Sequence, residues 1–356
     1  MPTLLQWGCV LNNFLSKKAK SLTPYIAGLQ PQEAGWIKLN TNENPYPPSA
    51  KVIEALQTFD YSRLRLYPDG SSDALKKTIA EDTGLSPENV FCGNGSDEVL
   101  ALAFQAFFSG KDNILTPDIS YGFYPVWAEM YDVGLKVIPL NQDFTLNPDG
   151  YKDANGIIIA NPNAPTSLAI ENGKIEQILS QNPDGVVLID EAYIEFSDVK
   201  SVTKLYDNLL VVRTFSKSHS LAGMRVGYAL GPPNLINALE RVRDAFNSYP
   251  LDMLAQTAAI AAIKDKDYTK ACIEKVIKTR ESTANRLMQL GCQPLKSHTN
   301  FLMIKTPHAA PLYQYLLYCK ILARYWNKPR LRDYLRVTIG TDSEMEAFLQ
   351  CVKEFQ

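Results

Sequence analysis

Between about residues 72 and 245 the chain alternates short, β-branched apolar runs with segments of helical periodicity, and no other feature restricts its fold as strongly. The runs fall at 90–92, 113–115, 136–140, 156–160, 186–190, 209–214 and 226–230. In two of them, Ile157-Ile158-Ile159 and Val186-Val187-Leu188-Ile189, apolar side chains occupy both faces. A strand without a polar face must be covered on both sides, as in a mostly parallel sheet held between helix layers. Ser86-Pro87-Glu88 reads as a helix start, with an N-cap and proline at the first helical position. Residues 97–108 read as a helix on Val99, Leu100, Ala103, Ala106 and Phe107, ending before Gly110. After residue 245 the pattern changes to a long helical stretch reaching 290, short strands at 301–304 and 336–339, and a last helix from Ser343. The expected fold is therefore α/β, a large domain with a mostly parallel sheet between helix layers plus a smaller α+β domain. Residues 46–245 form the large domain and 246–356 the smaller one, with 1–45 joining the latter.

Composition removes several functional classes. The 36 basic and 38 acidic residues leave a net charge of −2 with no basic run, so no nucleic-acid partner is expected. The apolar helical stretch at 253–263 is too short to span a bilayer, and the first residues lack the basic start of a secretory signal. The six cysteines form no C-x-x-C pair, which points to reduced thiols and a cytoplasmic setting. The three histidines, His219, His298 and His308, make no H-E-x-x-H, so no catalytic metal is expected. Gly93 and Gly95 begin a dinucleotide loop that Glu98 breaks at the third glycine, and no G-x-x-x-x-G-K-[ST] occurs.

Four segments at predicted strand ends carry chemistry, where open α/β sheets place their ligands. Cys92-Gly93-Asn94-Gly95-Ser96-Asp97-Glu98 is a glycine turn into a helix, a backbone suited to phosphate or to a plain capped turn. Asp190 ends an all-apolar strand in Asp190-Glu191-Ala192-Tyr193, a costly position unless a cation or hydrogen bonds meet it. Lys217 leaves one strand and Arg225 enters the next. A nearby cation and burial would both favour a free lysine amine, and a guanidinium suits a phosphate. Asn161-Pro162-Asn163-Ala164-Pro165-Thr166-Ser167 is a rigid, donor-rich loop. Singly, each has an ordinary structural reading.

In combination, order and spacing resemble the aspartate-aminotransferase superfamily, the fold-type I pyridoxal 5'-phosphate enzymes, over nearly the whole chain from Leu22. The resemblance implies that Lys217, in S-K-x-x-x-L-A-G-x-R, carries the cofactor and moves the proton. It implies that Asp190 pairs with the pyridinium nitrogen and that Tyr193 donates to the ring oxygen. Gly95, Ser96, Asp97, Ser216 and Arg225 would hold the phosphate end, and Tyr121 would stack on the ring. A closer resemblance, to the histidinol-phosphate aminotransferase family, rests on three N-terminal stretches and one near the C-terminus. They are Leu22-Thr23-Pro24-Tyr25, Asn42-Glu43-Asn44-Pro45, Arg65-Leu66-Tyr67-Pro68 and Leu335-Arg336-Val337-Thr338-Ile339-Gly340. It implies an enzyme of histidine biosynthesis that uses L-histidinol phosphate and 2-oxoglutarate. Tyr25, Asn42 and Asn44 would line the substrate site, with Arg336 and Arg324 on the anionic end. Tyr67 would reach the cofactor phosphate of a second subunit, making a homodimer. Two other readings share these motifs, an aromatic or broad-specificity aminotransferase and a lyase resembling threonine-phosphate decarboxylase.

The chain departs from the family pattern at three places. The usual N-P-N-N-P-T-G has Ala164 at the asparagine that contacts the ring oxygen and Ser167 at the glycine, and Asn163 is the expected substitute. His219 replaces a common phenylalanine and is expected to pack or hydrogen-bond. The first twenty or so residues exceed the usual start and are expected to form a separately packed or disordered extension.

Overall fold

The computed structural model describes residues 14–355 apart from Ala27 and Thr203. Its centre is a seven-stranded sheet: β2 (Val90–Gly93), β3 (Ile114–Pro117), β4 (Leu135–Ile138), β5 (Gly156–Ala160), β6 (Val186–Asp190), β7 (Leu209–Thr214) and β8 (Gly227–Leu230). The spatial order is β2-β8-β7-β6-β5-β3-β4, and only β8 runs against its neighbours. The apolar runs divide between the two faces as a strand requires. Ile157, Ile159, Val187 and Ile189 enter one core, while Ile158, Ala160 and Leu188 enter the other. Each fully buried aliphatic side chain of this kind contributes about 1.5–3 kcal/mol.

A second, four-stranded antiparallel sheet has the order β12-β13-β10-β9, from β9 (Gln293–Pro294), β10 (Phe301–Lys305), β12 (Arg324–Tyr325) and β13 (Tyr334–Thr338). The early strand β1 (Ile37–Lys38) pairs in parallel with β11 (Ile321–Leu322), so an N-terminal segment joins a C-terminal one.

Three expectations change. Residues 87–89 make a single 3-10 turn that leads straight into β2, because the Ser86–Asn89 capping box closes it at once. The stretch from residue 246 to 290 is two helices, Met253–Lys264 and Lys266–Gln289, preceded by Pro233–Phe246. Asp252 starts Met253–Lys264 by accepting from Ala255 N at 2.7 Å. The buried alanines of Met253–Lys264, Ala255, Ala258, Ala259 and Ala262, pack into the same core as β5 and β7. The N-terminal extension is described only from Phe14. There Lys18 pairs with Asp132 and donates to Glu129 O at 2.9 Å, which docks a short helix, Lys17–Ser21, on the neighbouring layer. Among the described residues, no helix is long and apolar enough to cross a membrane.

Candidate active site

The carboxyl ends of β5, β6 and β7 open into a cavity of 520 Å³. Its lining includes Ala160, Asp190 and Thr214, the last residues of those strands, together with Lys217 from the loop after β7. This is where strand topology leaves a crevice in an open sheet.

Asp190 is 5% exposed. It accepts from Tyr124 OH at 2.9 Å and from Ala192 N at 3.2 Å. Burial pushes its carboxyl up to about 6, with the Tyr124 bond opposing the rise. Its neighbour Glu191 takes the other side of the chain and is fully buried against Arg213, whose Nε donates at 2.9 Å. The two acids thus serve separate purposes. Asp190 faces the cavity without a cation, while Glu191 is neutralised inside the fold.

Lys217 Nζ donates to Thr41 O at 3.2 Å. Burial, followed by the charge of Arg336, pushes its ammonium down to about 8. Asn44 does not line the cavity. Its Nδ2 donates to Lys217 O at 3.0 Å and to Ser218 O at 3.3 Å, so it fixes the backbone that carries the lysine. His219 also lies outside the cavity. Its ring packs on Phe215 at 4.8 Å and its Nδ1 is 2.9 Å from Ser218 Oγ. Burial pushes it down to about 4, which leaves it neutral.

One end of the cavity is a built anion cradle. Gly95, at φ +83°, opens the helix Gly95–Ala103, and a Cβ there would lie 2.4 Å from Arg225 Nη2. A Cβ on Gly227 would lie 2.2 Å from Ser96 N. Only glycine lets Arg225 and the helix start approach this closely. Ser96, Ser216 and Arg225 line this end, and Asp97 Oδ2 sits 3.5 Å from Arg225 Nη2. Tyr121 OH donates to Asp97 Oδ1 at 2.9 Å, which fixes its ring at the cavity wall. Free N–H groups, two hydroxyls and a guanidinium together suit a phosphate.

Tyr193 lines the cavity, and its OH accepts from Asn42 Nδ2 at 2.9 Å. Asn42 is held in turn by Thr338, whose Oγ1 donates to Asn42 Oδ1 at 3.1 Å and accepts from Asn42 N at 2.9 Å. Asn163, the expected substitute for Ala164, does not line this cavity. Its amide donates to Ile119 O and Thr166 Oγ1, it accepts from Ser120 Oγ, and it borders a neighbouring cavity instead. These bonds tie the loop after β5 to the loop after β3. Ser167 takes the left-handed φ of +66° that a glycine would adopt freely, and its Oγ donates to Lys296 O at 3.2 Å.

Arg324, Arg336 and Tyr25 line the far side. Arg336 donates to Asn40 O at 2.7 Å and Arg324 to Ile26 O at 3.0 Å. Tyr25 stacks on Phe123 at 4.3 Å. Tyr67 stands apart from the cavity, 79% exposed and stacked on Tyr249 at 4.7 Å. Sequence reasoning missed Thr41, which acts through its carbonyl and so leaves no side-chain signal. It also missed Tyr124, the first residue of the helix Tyr124–Met130, whose OH meets Asp190.

The chain matches the aminotransferase class I and II family over residues 34–352. It is 48% identical over 349 residues to histidinol-phosphate aminotransferase of Brachyspira hyodysenteriae, covering 96% of this chain and 99% of the relative. It is likewise 48% identical over 340 residues to the Lactococcus lactis subsp. cremoris enzyme of the same name, covering 94% and 96%. The fold matches the histidinol-phosphate aminotransferase of Sinorhizobium meliloti, solved in complex with pyridoxal-5'-phosphate, with TM-score 0.82, 24% identity and 90% of each chain covered. It also matches L-threonine-O-3-phosphate decarboxylase of Porphyromonas gingivalis, with TM-score 0.77, 21% identity and 90% and 99% covered, a likeness of fold alone. By sequence, fold and the residues gathered at the strand ends, this chain belongs to the class I and II aminotransferases and, within them, to the histidinol-phosphate aminotransferase family.

Proposed function

We propose that the chain transfers the amino group of L-histidinol phosphate to 2-oxoglutarate, in histidine biosynthesis, with pyridoxal 5'-phosphate as cofactor. The observation that carries this is the convergence on one cavity of a lysine amine, a cation-free buried carboxylate and a phosphate cradle, with two further arginines opposite. The residues fit the cofactor. Gly95, Ser96, Ser216 and Arg225 would hold its phosphate, with Asp97 as countercharge to Arg225. Asp190 would meet the ring nitrogen, Tyr193 the ring oxygen and Tyr121 the ring face, and Lys217 would bind it covalently. When bound, the cofactor supplies a carbonyl that captures the amine and an electron-poor ring that takes up electrons from the breaking C–H bond.

The chain's own residues do the rest. Lys217 Nζ, near 8, takes the proton from the carbon bearing the amino group and returns it, as base and then acid. Asp190 keeps a proton on the ring nitrogen by placing a carboxylate where water cannot screen it. Arg336 and Arg324 bind the anionic end, a phosphate in one half-reaction and a carboxylate in the other. Tyr25 closes over this end from the N-terminal segment.

Several features support a homodimer with shared sites. Tyr61, Leu64, Leu66, Tyr67, Phe246 and Tyr249 are exposed large side chains from two neighbouring segments, a patch suited to a second copy of the chain. Tyr67 serves no site of its own chain and would reach the partner's cofactor phosphate. Residues 46–245 form the cofactor domain and 246–356 the smaller domain in this reading, with 1–45 joining the latter, and the five described cysteines, all free thiols, suit the cytoplasm.

The test is a half-reaction. Adding L-histidinol phosphate to the cofactor-loaded enzyme converts its visible absorbance to that of the aminated cofactor, and 2-oxoglutarate reverses the change. A kcat/KM favouring phenylalanine over L-histidinol phosphate would overturn the substrate, and carbon dioxide release without any oxo acid would overturn the reaction.

A further inference from the structure

Arg324 and Arg336 stand directly opposite each other on β12 and β13. Like charges in that cross-strand position repel, so something must hold them. Each spends one Nη on a backbone carbonyl, and Arg336 Nε is buried with no hydrogen-bond partner among the described residues. Aromatic rings take up the remainder. The Arg336 guanidinium lies 5.3 Å from the Phe301 ring centre and 5.4 Å from that of Trp326, and the Arg324 guanidinium lies 5.7 Å from the same Trp326 ring. Trp326 follows β12 immediately and is half-buried. It also borders a side cavity of 350 Å³ that shares Tyr25, Tyr121 and Arg336 with the main one. One indole therefore touches both cations that face the substrate's anionic end.

We propose that Trp326 is the positioning residue of the Arg324–Arg336 pair, holding two mutually repelling guanidiniums in register for one dianionic group. The inference rests on the reading of these arginines as the anion-binding end of the site. The π face attracts both cations without neutralising either, as an acid in the same place would. A carboxylate partner would compete with the substrate's anion, whereas the ring leaves the full charge for the ligand. Loss of the ring lets the pair splay apart, which weakens binding of the anion in both half-reactions and leaves the chemistry at Lys217 intact.

The experiment uses the cofactor-loaded enzyme. Inorganic phosphate is titrated while tryptophan emission is followed, in the wild type and in Trp326→Phe. Steady-state constants are then measured for both substrates in Trp326→Phe and Trp326→Leu. Phosphate is expected to change emission in the wild type and not in Trp326→Phe. Trp326→Leu is expected to raise KM for both the phosphorylated amine and the oxo acid about tenfold, with kcat within about twofold. Trp326→Phe, which keeps a π face, is expected to hold both KM values within about threefold of wild type. A fall in kcat at unchanged KM, or equal impairment by Phe and Leu, would overturn the proposal. So would the absence of any emission response to phosphate in the wild type, a measurement that needs no destabilised variant. If wild type responds to phosphate but does not turn over L-histidinol phosphate, the substrate reading fails while the role of Trp326 stands.

Discussion

Burial raises the Asp190 carboxyl from an ordinary value near 3.8 to about 6. Between those values the folded, cofactor-free chain holds a proton that the unfolded chain has lost, so stability falls as pH rises from about 4 to about 6. The penalty at neutral pH is roughly 3 kcal/mol, set by two units at about 1.36 kcal/mol each. Asp190→Asn should therefore raise the Tm of the cofactor-free chain by several degrees at pH 8, and the gain should vanish below pH 4. The same variant should lose activity by orders of magnitude, since the ring nitrogen would no longer meet a carboxylate. Lys217 is shifted in the opposite sense for a base, down to about 8. Its amine is mostly protonated at pH 7 and mostly free at pH 9. The rate at which cofactor-free chain captures pyridoxal phosphate, read by absorbance, should climb through pH 8 and level off above it. A rate that is flat from pH 7 to 9 would contradict this.

Among elements, the cradle and the strand beneath it make separable predictions. Gly227→Ala puts a methyl group 2.2 Å from Ser96 N, against backbone that has no room to move. It should weaken cofactor affinity at least tenfold while leaving the sheet folded, as measured by equilibrium dialysis and a thermal melt. Arg213→Leu leaves the fully buried Glu191 without its cation and should cost about 3–5 kcal/mol of stability in a denaturant titration. The same contrast explains what was readable beforehand. Strands β5, β6 and β7 match the expected runs residue for residue because Ile157 to Ile159 and Val186 to Ile189 can be satisfied only between two layers. The gathering of Lys217, Asp190 and Arg225 on one cavity was legible from the combined order and spacing of their motifs, since each alone had an ordinary structural reading. Asn163 and Asn44 were not, since an amide can donate to any carbonyl within reach and only the folded loop selects which one. The break near Asp265, which makes two helices of one stretch, depends on packing against the large sheet that local periodicity does not contain.

At the scale of the molecule, the exposed patch around Leu64, Leu66 and Tyr67 should be covered by a second copy, so sedimentation should give a dimer. Shared sites make a sharper test. A hybrid dimer of Lys217→Ala and Tyr67→Ala chains has one intact site if Tyr67 acts across the interface and none if it acts at home. Recovery of activity on mixing two impaired homodimers would establish the former. The short segment from Asn40 to Asn44 has a consequence of its own. Asn40 O receives Arg336, Thr41 O receives Lys217, Asn42 donates to Tyr193, and Asn44 holds the Lys217 backbone. The groups proposed to grip the anion and to move the proton are thus anchored on one ribbon of backbone, a residue apart. Such a ribbon works as a ruler. In the proposed reaction it would admit a donor and an acceptor of unlike chemistry that present charge at the same distance from the reacting carbon, and an amine with its anion one bond nearer or farther should show a lower kcat/KM.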